Sequence, residues 1–187
     1  MNIFEFLKPQ DFPEDHYNAL GRLLVEFQYL ESSITKSLIM LIQPDALDFT
    51  SVILNKLTFN NRLKLLSNFI ETHPESYFVG LRSDNESMFR DSYREDVEKV
   101  KQGIQLANDL EEKRNRIIHS LWLPAPKYAP QKTVTRIKIR TTRKNTTRVE
   151  EYISSAEILS VVEQIKKAGK LIETYSWYLE YLLQTKR

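Results

Sequence analysis

The chain has 187 residues, of which 41% are hydrophobic and 28% charged, with a formal net charge of +2. This length and composition predict one globular domain with a full core, and the absence of cysteine excludes disulfide bonds, thiolate catalysis and cysteine-ligated metal sites. The three histidines form no His-x-x-x-His pair and the four glycines lie far apart, which excludes a zinc-protease helix and a glycine-rich phosphate loop.

The first part of the chain has the periodicity of helices. Asp11 and Pro13 are typical of a helix start, and apolar residues recur at helical spacing from there to about Ile42. A short helix is predicted over about 49–57. Thr58 is then the predicted N-cap of a third helix.

The second part of the chain combines helices with a hairpin. A long helix is predicted over about 87–122, and β-branched, partly alternating residues over about 131–153 predict a β-hairpin. Ser154 and Glu157 then form a capping-box pattern that opens the last helix. The sequence therefore predicts an all-α bundle of four to five helices over 1–187, a single domain with the hairpin inserted before the last helix.

Charge is unevenly distributed along the chain. Of its 27 Lys and Arg residues, 11 lie between Lys113 and Val149, where there is no Asp or Glu, so the remainder carries 16 basic and 25 acidic residues and a net charge of −9. Such segregation either attracts a polyanion or lets a basic hairpin neutralise an acidic body beside it. In the first case the predicted nucleic-acid-binding residues are Lys132, Arg136, Lys138, Arg140, Arg143 and Lys144.

Membrane attachment and export are not expected. No apolar run approaches the ~20 residues that cross a bilayer, and the N-terminus lacks the basic start of a signal peptide. We therefore expect a cytoplasmic protein with no membrane partner, no metal and no cofactor.

Arg114 interrupts the apolar stripe of the predicted long helix, between Leu110 and Ile117. A guanidinium cannot be buried alone and needs a carboxylate, a group of carbonyls or a ligand. Glu31 or Glu111 would make Arg114 part of a structural ion pair, and Glu31 could equally orient a catalytic arginine.

Asn115 and His119 are four residues apart and therefore lie on one face of a helix, about 40° from each other. Arg114 and His119 are about 140° apart round the axis, so a regular helix cannot use both to chelate one small ion. They could flank a phosphodiester along the helix, or meet across the axis of a symmetric dimer.

Residues 114–119, Arg-Asn-Arg-Ile-Ile-His, resemble the signature of the HEPN superfamily, an arginine followed after four to six residues by histidine near the end of a core helix. The resemblance implies a helical bundle, a homodimer through the long helix 87–122 and a metal-independent RNA endonuclease. Many such enzymes belong to toxin–antitoxin or antiviral defence systems, so RNA and a cognate antitoxin are implied partners.

The chemistry of RNA cleavage assigns roles to these residues. A base must take the 2′-hydroxyl proton, an acid must protonate the leaving oxygen, and cations must surround the phosphorane charge. His119 is the expected proton carrier, Arg114 the phosphate-binding fork, and Asn115 would orient the imidazole or donate to the phosphate. The predicted supporting residues are Glu31, Arg116 and Ser120.

Two alternatives from other classes remain open. One is a non-catalytic HEPN-like dimeric module that binds a partner protein, a nucleotide or nucleic acid. The other is a nucleic-acid-binding protein whose hairpin is the contact surface, with Arg114 and His119 merely structural. His16 and His73 are expected to be solvent-exposed residues of a helix start or a loop.

Overall fold

A computed structural model of the protein describes residues 12–42, 47–72, 86–141 and 146–184. Within these ranges the chain is mainly α-helical, with five helices and one small antiparallel sheet of three strands. None of these helices contains an apolar stretch of the length that a membrane span requires. In chain order the elements are α1 (Glu14–Ile42), α2 (Leu47–Leu54), α3 (Phe59–Thr72), α4 (Glu86–Ile118), β1 (Leu121–Pro124), β2 (Thr133–Thr141), β3 (Thr146–Ser154) and α5 (Ser155–Gln184).

Local capping signals set two of the helix starts as predicted. The hydroxyl of Thr58 accepts a hydrogen bond from the backbone N–H of Asn61 at 3.3 Å, which confirms Thr58 as the N-cap of α3. At the start of α5 the N–H of Ser154 donates to Glu157 at 2.7 Å, and the N–H of Glu157 donates back to the Ser154 hydroxyl at 3.2 Å. These reciprocal bonds are the predicted capping box. Hydrogen bonds donated to the Glu157 carboxylate by the backbone N–H and then the hydroxyl of Ser154 lower the pKa of that carboxyl.

The predicted long helix is wrong at its C-terminal end. α4 stops at Ile118, and Leu121–Pro124 forms β1, which pairs antiparallel with β2 so that Pro124 lies opposite Val134. Proline cannot continue a helix and disfavours helical backbone in the residue before it. Leu121 misled the prediction because it continues the apolar spacing of the helix.

The predicted hairpin is confirmed as β2 and β3, which pair antiparallel with Thr141 opposite Thr146. Residues 142–145, between the two strands, lie outside the described residues. With β1 the hairpin becomes a three-stranded sheet in the order β1-β2-β3. The small sheet therefore begins soon after the end of α4, with two residues between Ile118 and Leu121.

The chain divides into two compact units. The first comprises Met1–Glu26 with Leu110–Glu163, and the second comprises Phe27–Asp109 with Gln164–Arg187. One domain over 1–187 stays a prediction. Buried apolar residues of the first unit are Ala19, Leu23, Leu110, Ile117, Val134, Ile137, Ile158 and Val162. Those of the second include Phe27, Leu30, Ile34, Leu38, Phe59, Leu63, Leu66, Ile70, Val100, Ala107, Ile165, Ala168, Ile172 and Tyr175.

In the second unit α4 and α5 approach each other closely at Gly103. A Cβ atom there would lie 2.9 Å from Cγ1 of Ile172 and 3.2 Å from the backbone oxygen of Ala168. At Gly169, also inside a helix, a Cβ atom would meet nothing within 4 Å. The close approach therefore requires glycine at position 103 only.

We expect Gly103→Ala to lower the free energy of unfolding by about 1–3 kcal/mol, because overpacking outweighs the gain in helix propensity. Gly169→Ala is the matched control and should raise the same free energy by about 0.5–1 kcal/mol. Urea denaturation of the two variants and the parent measures both effects. Stabilisation by both substitutions would contradict the close helix contact.

Candidate functional site

The C-terminal end of α4, which carries the motif residues, is fixed by side chains that satisfy its last carbonyl groups. The Ser120 hydroxyl donates a hydrogen bond to the backbone oxygen of Arg116. The indole N–H of Trp122 donates to the backbone oxygen of Ile117 at 3.0 Å. Since the last carbonyls of a helix lack intrahelical partners, these two bonds hold the helix end and the start of β1 in a defined geometry.

The three predicted catalytic residues lie together at this helix end. Nη1 of Arg114 donates to the side-chain oxygen of Asn115 at 2.8 Å, and both side chains are half-buried. His119 follows the last helical residue, with its backbone N–H donating to the oxygen of Asn115 at 3.1 Å, and its side chain is exposed. The site thus consists of an exposed imidazole one helical turn after a hydrogen-bonded guanidinium–amide pair.

This arrangement defines what each group can do. Because the Asn115 carbonyl oxygen accepts from Arg114, the amide nitrogen is left as the donor of that side chain. A guanidinium donates through N–H groups whose planar geometry matches phosphate oxygens, so Arg114 is the group of this site with the chemistry to bind phosphate. The exposed imidazole of His119 can exchange a proton with a ligand or with solvent.

Arg116 and Arg136 both contact one carboxylate, that of Glu151 on β3. Nη2 of Arg116 lies 3.8 Å from Glu151, and the Arg136 guanidinium forms a shorter ion pair with it. Arg136 lies opposite both Glu151 and Trp122 in the sheet register and is only 6% exposed. The prediction that Arg136 contacts nucleic acid is therefore corrected, since its guanidinium is buried in a structural ion pair.

The other predicted nucleic-acid-binding residues occupy different environments. Lys132 is exposed in the loop between β1 and β2, and Lys138 is half-buried on β2. Arg140 belongs to β2, but the structure does not describe its side chain. Arg143 and Lys144 lie outside the described residues. The structure thus presents Lys132 to solvent, and the role of all these residues in binding stays a prediction.

Part of the basic stretch is neutralised by the two glutamates that follow it. Arg148 contacts Glu150 on the same strand, and Glu151 receives Arg116 and Arg136. Sequence reasoning missed the Arg136–Glu151 pair because only the antiparallel register brings these two residues opposite each other.

Glu31 has a partner that the sequence did not suggest. Nη2 of Arg62 on α3 donates to its carboxylate at 3.2 Å, and Nη1 of Arg62 donates to the Thr35 hydroxyl at 2.9 Å. Thr35 in turn donates to the backbone oxygen of Glu31 at 2.8 Å. Glu31 and Arg62 line a cavity of about 400 Å³ in the second unit. Pairing of Glu31 with Arg114 stays a prediction.

The expectation that His16 is exposed is wrong. Its side chain is 0% exposed, with Nδ1 2.9 Å from a carboxylate oxygen of Asp15 and Nε2 3.1 Å from the backbone oxygen of Ile153. The second carboxylate oxygen of Asp15 accepts from the Ser155 hydroxyl at 2.7 Å. His16 therefore joins the start of α1 to the junction of β3 and α5, and its position along the chain gave no signal of this role.

Both ring nitrogens of the buried His16 side chain lie within hydrogen-bond distance of an oxygen, one on Asp15 and one on the backbone of Ile153. Hydrogen bonds from Ser155 and then His16 lower the pKa of the Asp15 carboxyl. The cluster joins the start of α1 to the start of α5 through side-chain hydrogen bonds.

Metal-binding geometry and similarity to known proteins are two further sources of evidence on function. Within residues 12–42, 47–72, 86–141 and 146–184, no three His, Asp or Glu side chains are arranged to hold a metal ion. No protein-family model, curated protein or solved structure matches this chain. The assignment of a function therefore depends on the chemistry of the chain's own residues.

Proposed function

We propose that this protein is a metal-independent RNA endonuclease of the HEPN type, with Arg114, Asn115 and His119 as its catalytic residues. The observation that carries the proposal is the exposed imidazole of His119 one turn after the Arg114–Asn115 hydrogen bond of 2.8 Å. A proton carrier and a phosphate-binding group at one helix end are two of the groups that cleavage by side chains alone requires.

In this reaction the 2′-oxygen of the RNA attacks the adjacent phosphorus and the bond from phosphorus to the 5′-oxygen breaks. One imidazole takes the proton of the 2′-hydroxyl, and a second returns a proton to the departing 5′-oxygen. The guanidinium of Arg114 and the amide of Asn115 donate to the phosphorane oxygens, where negative charge develops. The products are a 2′,3′-cyclic phosphate and a 5′-hydroxyl.

A second copy of the chain supplies the second imidazole in this proposal. A homodimer through α4 and its flanking residues would bring two copies of His119 to one cleft, one as base and one as acid. Arg116 and Ser120 then act as positioning residues, because Arg116 is tied to β3 through Glu151 and Ser120 caps the helix that carries the site.

The biological setting that the motif suggests is a toxin or an antiviral-defence ribonuclease acting in the cytoplasm. Such an enzyme is held in check by a cognate antitoxin in many systems of this kind. Growth arrest on expression of the chain alone, and normal growth on expression of an Arg114→Gln variant, would support this setting.

The direct test is cleavage of single-stranded RNA of mixed sequence by the purified protein in the presence of EDTA. We expect fragments that end in cyclic phosphate and begin with a 5′-hydroxyl, and a loss of cleavage in Arg114→Gln with an unchanged melting temperature. Failure to cleave any RNA would overturn the proposal. An uncleaving dimer that retains RNA or protein binding would identify the non-catalytic module instead.

A further inference from the structure

An aromatic pair lies at the surface beside the loop that joins β1 to β2, residues 125–132. The side chain of Tyr128 in this loop is 82% exposed. Its ring meets that of Tyr152 on β3 edge to face, with centroids 6.5 Å apart and planes at 82°. Hydrogen bonding to Tyr128, followed by burial, raises the pKa of the Tyr152 phenol.

The loop holds Tyr128 in a defined position. The N–H of Ala129 donates to the backbone oxygen of Pro126 at 2.9 Å, which closes a turn around the tyrosine. The hydroxyl of Thr133 donates to the backbone oxygen of Pro130 at 2.7 Å. Pro126 and Pro130, whose φ angles are fixed, lie on either side of Tyr128 and restrict the backbone of the loop. The loop therefore holds the Tyr128 side chain in its exposed position.

The surroundings of the pair are basic. Lys127 and Lys132 are both exposed in the same loop, and neither forms an ion pair with a described residue. The loop belongs to the stretch between residues 113 and 149 that contains no Asp or Glu. Two acids directly precede Tyr152 on β3, and both have basic partners: Glu151 contacts Arg116 and Arg136, and Glu150 contacts Arg148.

One short strand, β1, separates the loop from the candidate site along the chain. His119 comes two residues before the first residue of β1, and the loop begins after its last residue, Pro124. Four residues of strand rise roughly 13 Å. We therefore expect an oligonucleotide bound at His119 to reach the loop and a dinucleotide not to reach it.

We propose that Tyr128, supported by Tyr152, is a stacking platform for an unpaired base, and that the ligand of this surface is single-stranded RNA. An exposed aromatic ring next to lysines is the combination by which proteins bind single strands without reading their sequence. A base paired in a duplex has both faces covered and cannot stack on the ring. The inference rests on the proposed function, for which it specifies the substrate as single-stranded RNA.

Binding by a cleavage-deficient chain tests the platform separately from catalysis. In a His119→Ala background we expect Tyr128→Ala to weaken the affinity for a single-stranded oligouridine of about 12 nucleotides by roughly tenfold, measured by fluorescence anisotropy. Tyr128→Phe keeps the ring and should retain most of the affinity. Tyr29→Ala is the matched control, since Tyr29 is 64% exposed on α1 outside the basic stretch, and should change nothing.

Substrate length and charge give two further readouts. The affinity for the dinucleotide UpU should not respond to Tyr128→Ala. Replacing Lys127 and Lys132 together with glutamine should reduce the slope of log affinity against log salt concentration.

The platform is refuted if Tyr128→Ala binds the oligouridine as tightly as Tyr29→Ala, if the chain binds no RNA, or if a duplex competes as well as the single strand. The platform is also refuted if Tyr128→Ala abolishes the binding of a partner protein but leaves RNA binding intact. Affinity that depends on Tyr128 in a chain whose wild type never cleaves RNA would support the platform and overturn the nuclease, so the two proposals fail by different results.

Discussion

Replacement of His119 with alanine is expected to lower the rate of RNA cleavage by about 10²–10⁴-fold, the range that general acid–base catalysis contributes. The imidazole is exposed and makes no side-chain hydrogen bond with a described residue, so the fold should not depend on it. We therefore expect an unchanged melting temperature and unchanged circular dichroism. Single-turnover cleavage of labelled RNA with excess protein measures the chemical step directly.

The control for this variant is His73→Ala, which changes a histidine far from the motif along the sequence. It should cleave at the parent rate. Cleavage by His119→Ala at more than a tenth of the parent rate would show that another group carries the proton. In mixed dimers, one intact His119 should not restore full activity, because the mechanism uses one imidazole as base and the other as acid.

Loss of His16 is expected to have the largest effect on stability among these predictions. His16→Ala would leave the partly buried backbone oxygen of Ile153 without its partner, remove a partner from Asp15 and create a cavity. Together these effects should lower the free energy of unfolding by about 2–4 kcal/mol. Asn18→Ala, an exposed change on the same helix, should be close to neutral. Equal stability of the two variants in urea would contradict a structural role for His16.

The same cluster predicts a direction for the effect of acid. Because the pKa of Asp15 is lower in the folded state, first through Ser155 and then through His16, its contribution to stability is fully present above its ordinary value of 3.8. It is lost as the pH falls through the folded-state pKa. Parent and Asp15→Asn should therefore converge in stability at low pH, which urea denaturation at a series of pH values would detect.

Local signals were sufficient for most of the helical structure. The capping box of Ser154 and Glu157 and the N-cap Thr58 involve residues three apart, so their meaning is contained in a short window of sequence. The strands β2 and β3 were likewise recognised from their own β-branched residues. Arg114, Asn115 and His119 share a helix end for the same reason, since four residues of helix make one turn.

Interactions between distant residues were not predictable in this way. β1 is a strand because residues 134–137 offer it a partner, and its own four residues continue the spacing of α4. Arg136 looked like a ligand-binding residue until the register placed Glu151 opposite it. The hydrogen bonds between Arg62 and Glu31 and between His16 and Ile153 join residues that are far apart along the chain, where no periodic signal of the sequence connects them.

The hydrogen bond between His16 and Ile153 has a consequence for synthesis on the ribosome. Its two residues are 137 positions apart, which corresponds to roughly 7–27 s of elongation at 5–20 residues per second. The first turn of α1 therefore leaves the exit tunnel before Ile153, whose backbone oxygen is the later hydrogen-bond partner of His16, has been synthesised. The three strands, in contrast, emerge close together and can pair at once. Nascent chains stalled before Ile153 should therefore expose the N-terminal helix start to proteases, and chains stalled well beyond it should protect it.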